Sequence, residues 1–351
     1  MVLKEILGSK FINNQSEGVK APSDIIINIM QIKTLLYFSL CLIISIIFTA
    51  CNSSIIEEIP SNEEEQTAIG FAAKVQNSRA VAELEDVQDN GFSVWGGFGN
   101  TNVFDATKVT YTDADGWGYG ETRYWTYNSY NFYAVYPDVT HNAYPANKVM
   151  ISNTSEQLTI KEFNSSLGYD LMYAKAIAID GSTPPAEVAL TFNHTMTQLS
   201  VSLKKHKANE YDEVKVIGVY VYGMYGKGDY ELTASTEAWT NLDEITYYGK
   251  EVEPMTLEDD YVSCATGIMV IPQPFTGMDI NLLIAYSYKA NGAENSSVQY
   301  LNVPIPTTAS WDIRKKITYN GTIEVNDKIV FSTPVVESWG AEQAGGTVII
   351  K

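Results

Sequence analysis

From Thr67 onward, apolar residues alternate with polar ones in short runs, and Gly, Asn, Asp and Pro interrupt the runs. Alternation with a period of two, in runs rich in Val, Ile, Thr, Tyr, Phe and Trp, predicts β-strands that turn one face to a core. Phe92, Val94 and Phe98 share one parity, and Tyr130, Phe132, Ala134 and Tyr136 repeat the alternation before Pro137. Between these runs, residues 113–120 are dense in turn formers. Further strands are expected at 280–288, at 298–305 with Pro304 and Pro306 marking a sheet edge, at 317–325, at 329–331 and at 347–350. No long segment carries a 3.6-residue period with caps, so helices should be few and short.

Two stretches change phase. Leu190, Phe192 and Met196 lie on one side, but the apolar positions then move to Leu199, Val201 and Leu203. Val214 and Val216 likewise give way to Val219 and Val221 across Gly218. One inserted residue turns every later side chain to the opposite face, so each change predicts a β-bulge. The strand spacing predicts an all-β protein of two tandem antiparallel β-sandwiches. Asp180 to Glu187, with Gly181, Pro184 and Pro185, is the strongest linker signal, which places an N-terminal sandwich at 67–185 and a C-terminal one at 186–351.

The pattern ahead of Thr67 is different. Residues 34–50 are a nearly unbroken apolar run after Lys33, shorter than the roughly 20 residues of a membrane span and suited to the core of a secretory signal. The run ends in Phe48-Thr49-Ala50-Cys51, which resembles a bacterial lipobox, with Phe48 in place of the usual Leu. There the Cys51 thiol would be acylated and become the new N-terminus. Two or three acyl chains anchor stably, since each buried methylene contributes about 0.8 kcal/mol. Met30 reads as the start of this signal, so residues 1–29 are expected to be an extension from an upstream start. Residues 51–66, with Glu57, Glu58 and Glu63 to Glu65, read as an acidic tether.

Charge narrows the partners. The chain carries a formal −19, and the first 50 residues hold four Lys against two Glu and one Asp, leaving −20 for the remainder. Such an acidic chain excludes nucleic acid and electrostatic adsorption to anionic lipid. The cysteines are Cys41, Cys51 and Cys264, so Cys264 has no intrachain partner once the first two are processed, and it reads as a small apolar packing residue.

Candidate chemistry is sparse. His141, His194 and His206 sit in no metal-ligand spacing, and His194 lies on the apolar parity of its strand as a satisfied, half-buried histidine. No nucleophile elbow, phosphate loop or complete dinucleotide fingerprint is present, and Gly96-Gly-Phe-Gly99 reads as a turn or bulge. Asp113-Ala-Asp-Gly116 shares a fragment with calcium loops but lacks the closing Glu. Tyr111, Trp117, Tyr119, Tyr124 and Trp125 could stack on sugars, although core and cross-strand packing accounts for such residues more often. The expectation is a non-enzyme with no catalytic residue, no metal site and no cofactor.

In order along the chain, the signal ending at Cys51 is followed by Ala68-Ile-Gly-Phe-Ala72, Ser78-Arg-Ala80, Phe92-Ser-Val-Trp-Gly96 and Tyr130-Asn-Phe-Tyr-Ala-Val-Tyr-Pro137. Asp170-Leu-Met-Tyr-Ala174, Leu190-Thr-Phe-Asn-His194 and Val336-Glu-Ser-Trp339 complete the set. Together these resemble the fimbrillin-like family of the Bacteroidales, exported lipoproteins that build or tip surface fimbriae. The resemblance implies two transthyretin-like sandwiches and polymerisation by donor-strand exchange, after a protease removes the first strand of the N-terminal domain. Carried onto this chain, that strand is about 67–75 and the cut falls between Arg79 and Ala80. The C-terminal strand of Thr347, Val348, Ile349 and Ile350 is the candidate donor. The implied partners are other fimbrial subunits, the outer membrane through the lipid anchor, and a host or bacterial surface glycan or protein. The alternative reading is a cell-surface glycan-binding lipoprotein that captures polysaccharide.

Overall fold

The computed structural model describes residues 66–76, 81–140, 144, 149–152, 156–207, 211–306, 310–324 and 328–339. The alternating run from Tyr130 to Tyr136 becomes β5 (Ser129–Tyr136), the middle strand of a seven-stranded sheet. Its other members are β1 (Phe71–Val75), β2 (Phe92–Phe98), β3 (Thr101–Thr112), β4 (Gly116–Gly118), β8 (Met172–Asp180) and β9 (Val188–His194), in the order β1-β9-β8-β5-β2-β3-β4. Between β5 and β8 in the sequence lie β6 (Val149–Ser152) and β7 (Gln157–Asn164), which belong to a different sheet.

Both faces of β5 are buried. Tyr130, Phe132, Ala134 and Tyr136 enter one core with Phe71, Phe92, Phe104 and Phe192. Tyr133 and Val135 enter a second core on the opposite face, together with Trp95, Leu158, Ile160 and Phe163. A strand apolar on both sides is what a central position between two packed layers requires.

Beyond β9 follow β10 (Thr197–Lys205), β11 (Tyr211–Leu232), β12 (Glu237–Thr256), β13 (Val262–Val270), β14 (Gln273–Pro274), β15 (Asn281–Ala290), β16 (Ser297–Pro304), β17 (Ser310–Trp311), β18 (Lys315–Ile323), β19 (Ile329–Phe331) and β20 (Val335–Ser338). One sheet runs β16-β15-β11-β7-β6 with β12 along the other side of β11, and another runs β13-β10-β18-β19 with β20 also on β18. A third core fills the space between them, from Leu199, Val201 and Leu203 on one layer to Val219, Val221, Leu282 and Ile284 on the other. The long β11 serves both neighbours: its first half pairs with β15 and its last residues with β7. Most ladders are antiparallel, but β1 on β9 and β10 on β18 are parallel pairs, each joining strands far apart in sequence. Parallel neighbours need such a crossover.

Of the two expected bulges, one is present. Register shifts between Val216 and Gly218 against both β12 and β15, so that Val214, Val216, Val219 and Val221 are all fully buried. The change of phase after Phe192 has another cause. β9 ends at His194, and β10 starts at Thr197 in a different sheet, so the apolar positions follow two cores and no bulge is needed. Thr195 secures that crossing, its amide and hydroxyl both donating to the Leu171 carbonyl at 3.0 and 2.8 Å. The glycine-rich end of β2 does carry irregular register, and Gly99 turns the chain with φ +52°. An α-helix, α1 (Val81–Asn90), was not expected from the pattern; it packs Val87 into the first core. Among the described residues no helix is long and apolar enough to cross a membrane.

Candidate functional site

Within residues 67–75, which the family resemblance suggests as a removable strand, Phe71–Val75 form β1 at the edge of the seven-stranded sheet. β1 pairs in parallel with β9, from Phe71 opposite Val188 to Val75 opposite Phe192. Its alternate residues carry the burial: Ile69 and Phe71 are 1% exposed and Val75 8%. Phe71 meets Phe104, Tyr119 and Phe132 edge-on at 5.2, 5.7 and 5.8 Å. On the other side the segment is held less regularly. The Ile69 amide donates to Arg123 O at 2.8 Å, and the Trp125 amide donates to Thr67 O at 3.0 Å. Tyr119 hydroxyl donates to Ile69 O at 2.5 Å. Each large apolar side chain seated this way contributes about 1.5–3 kcal/mol. Taking the strand away would open an apolar slot between β9 and the 119–125 segment.

Gln76, the residue after β1, lies on the rim of a cleft of about 470 Å³ whose walls include Tyr173, Asn193, His194, Arg314 and Trp339. The wall residues come from β8, from β9 and from the ends of β18 and β20, so only the folded chain assembles it. His194 Nδ1 lies 2.5 Å from Asp170 Oδ2, and its ring stacks on Trp339 at 3.8 Å with 17° between the planes. The Lys316 ammonium lies 5.0 Å from the Trp339 ring. Arg314 donates to both carboxylate oxygens of Glu237 at 2.6 and 2.7 Å and to Tyr173 hydroxyl at 3.2 Å. Tyr230 hydroxyl donates to the same carboxylate at 2.8 Å. Burial, then the Glu237 charge, pushes the Tyr230 phenol well above its usual range. Burial alone would lower the Arg314 guanidinium, but the bonds to Glu237 outweigh it and raise its pKa. The network ties Arg314, just ahead of β18, to Glu237 of β12 and Tyr173 of β8.

Cys51, Arg79, Ala80 and Thr347, Val348, Ile349 and Ile350 lie outside the described residues, as does His141. The described chain stops at Gln76 before the Arg79–Ala80 bond and resumes at Val81, and it stops at Trp339 before residues 347–350. Gln76 and Trp339 line the same cleft. His194 is 2% exposed, more deeply set than a half-buried residue and satisfied by Asp170. His206 lies 3.8 Å from Glu324. Burial raises the Cys264 thiol to about 11, as fits a packing residue. The Asp113–Gly116 fragment is the turn between β3 and β4.

The aromatic set largely packs inward. Tyr111 and Trp117 meet edge-on at 5.2 Å across β3 and β4, Trp125 is buried, and Tyr119 packs on the first core, while Tyr124 stays 45% exposed. Sequence reasoning missed Arg314, Glu237 and their cleft, because the partners are far apart in the chain and no spacing links them. Trp339 was visible only as part of the Val336-Glu-Ser-Trp339 motif.

Comparison with known proteins agrees with this architecture. The fimbrillin-like family profile matches residues 78–339. A solved fimbrial protein from Bacteroides vulgatus superposes with a TM-score of 0.54 at 15% identity, covering 78% of this chain and 99% of that one. A Bacteroides uniformis protein proposed to act in cell adhesion aligns with a TM-score of 0.44 at 15% identity, covering 79% and 99% respectively. No curated protein matches. With a profile that spans most of the chain and a shared sheet architecture, this chain belongs to the fimbrillin-like family.

Proposed function

We propose that this protein is a non-enzymatic structural subunit of a surface fimbrium, acting in adhesion and assembled with other subunits by strand exchange at the β1 edge. The observation that carries the reading is the seating of β1: an edge strand, held by one regular ladder, with Ile69, Phe71 and Val75 filling a core. A strand of that kind can be replaced by one from a neighbour, with main-chain pairing supplying affinity and alternate side chains supplying register. In this reading Cys51 carries the lipid that holds the precursor at the outer membrane, cleavage after Arg79 frees the slot, and the strand of residues 347–350 from the next subunit fills it.

The test is made on cells. Protein recovered from the surface should begin at Ala80 when assembled and at acylated Cys51 when held as precursor, and it should form heat-resistant high-mass ladders on gels. Arg79→Ala and removal of residues 347–351 should each abolish the ladders. Ladders that survive both changes would refute assembly by this route.

A further inference from the structure

A sheet edge exposes unpaired amides and carbonyls, and folded proteins guard such edges by keeping them short, charged or irregular. Most edges of this protein are guarded in one of these ways. Among the described residues β4 and β19 have three residues each, β6 and β20 four, and β1 five with Lys74 among them. The long β12 carries Glu237, Asp243, Glu244 and Glu253 and slips register three times against β11. β13 slips twice against β10 and contains Gly267 at φ +71°. β16 is the exception. Its eight residues, Ser297-Val-Gln-Tyr-Leu-Asn-Val-Pro304, hold no charged side chain, pair with β15 without a shift, and meet no described strand on the other side.

The ladder fixes which groups that edge offers. Ile305 N donates to Ile280 O at 3.0 Å, one step past the pair of Asn281 with Pro304. In an antiparallel ladder only alternate residues bond to a given neighbour, so Leu301 and Val303 share the parity of Ile305 and face β15. The amides and carbonyls of Val298, Tyr300 and Asn302 therefore point away from it, and Pro304, with no amide, closes the row. The side chains follow the same parity: Leu301 and Val303 pack on the third core, whereas Val298 and Tyr300 stay 52% and 55% exposed. Such a row complements itself. A second copy turned by a two-fold axis at Tyr300 presents the same residues in reverse, so that Tyr300 meets its counterpart and Val298 meets Asn302 of the second copy. Charge favours that occupant as well: in a chain of net charge −19 the acidic surface holds copies apart, and along this strand the repulsion has no source. We propose that β16 is a self-association edge, through which two copies join into one continuous antiparallel sheet centred on Tyr300. The inference goes beyond strand exchange at β1. A cut after Arg79 removes nothing from β16, so precursor and processed subunit both carry the edge, and in a fimbrium it would join fibres side by side.

Sedimentation velocity of the full chain in mild detergent, across a concentration series, tests it. The parent should pass from monomer to dimer as concentration rises. Tyr300→Lys and Tyr300→Glu each set like charges opposite one another at the axis, and each should weaken dimerisation at least about tenfold with an unchanged unfolding midpoint. An equimolar mixture of the two should regain the dimer, because opposite charges then face each other. Ile245→Lys, which alters an exposed residue of β12 in the same sheet, should leave the dimer intact. A parent that stays monomeric, single variants that dimerise as it does, a mixture that does not recover, or loss of the dimer in Ile245→Lys would each overturn the proposal, the last in favour of contact through the sheet face. In cells, Tyr300→Lys should leave the high-mass ladders intact. Ladders lost together with the dimer would assign β16 to pairing within a fibre and overturn side-by-side joining.

Discussion

Single residues in this protein do structural work that their type does not announce. Asp138 is 3% exposed. It accepts from Ser93 Oγ at 2.7 Å and Thr140 Oγ1 at 2.6 Å, and it pairs with Lys108 at 2.8 Å. Burial raises its pKa, but the bonds from Lys108, Thr140 and Ser93 outweigh that and hold it below the usual carboxylate range. A depressed carboxylate adds stability above its unfolded pKa and loses it as pH falls through the folded one. Asp138→Asn should therefore be less stable than the parent at pH 7, and denaturant titrations should show the gap closing as pH drops below about 4. At Trp339 the sandwich between His194 and Lys316 makes truncation costly. Trp339→Ala should lose about 3–5 kcal/mol in urea unfolding. Cys264, with its thiol at about 11, should resist thiol reagents at pH 8 in the native protein and react fully once denatured.

At the scale of elements, the parity of apolar residues located strands well where each faced a single core, as in β10, whose Leu199, Val201 and Leu203 all point one way. It misled where a strand ended. His194 and Thr197 are three residues apart yet in different sheets, and the phase change that looks like a bulge is the passage between them. The true bulge at Gly218 leaves room for a particular arrangement: a Cβ on Gly249 or on Gly218 would run into the Tyr220 ring, which therefore covers both glycines. Gly249→Ala should cost about 1–3 kcal/mol by forcing that ring away. Adding Tyr220→Ala should cost less than the sum of the two single changes, a coupling that a double-mutant cycle measures. α1 was illegible because among its described side chains, residues 84–90, only Val87 is buried, too few to mark a helical period.

At the scale of the molecule, the second core decides how the chain holds together. Trp95, Tyr133 and Val135 from the seven-stranded sheet meet Leu158, Ile160 and Phe163 of β7 and Tyr230 and Leu232 of β11 in one cluster. Calorimetry should accordingly give one unfolding transition with matching calorimetric and van't Hoff enthalpies. A chain ended at residue 185 lacks β9, which stands between β1 and β8, and should fail to give a cooperative transition. The same packing explains why the cleft could not be read beforehand: Gln76, Asn193, Glu237, Arg314 and Trp339 come together only after three sheets have stacked.

Alternation and turn residues by themselves determined that this chain is β-structured, and ordered motifs were enough to indicate its family, because strand period and local turns are properties of neighbours in sequence. Only the tertiary structure decided which strands share a sheet, that β1 lies parallel to β9 at an edge, and that Gln76, Asn193, Arg314 and Trp339 line one cleft. Those are long-range pairings, set by which apolar faces can be buried together, and no residue carries that information in its own neighbourhood.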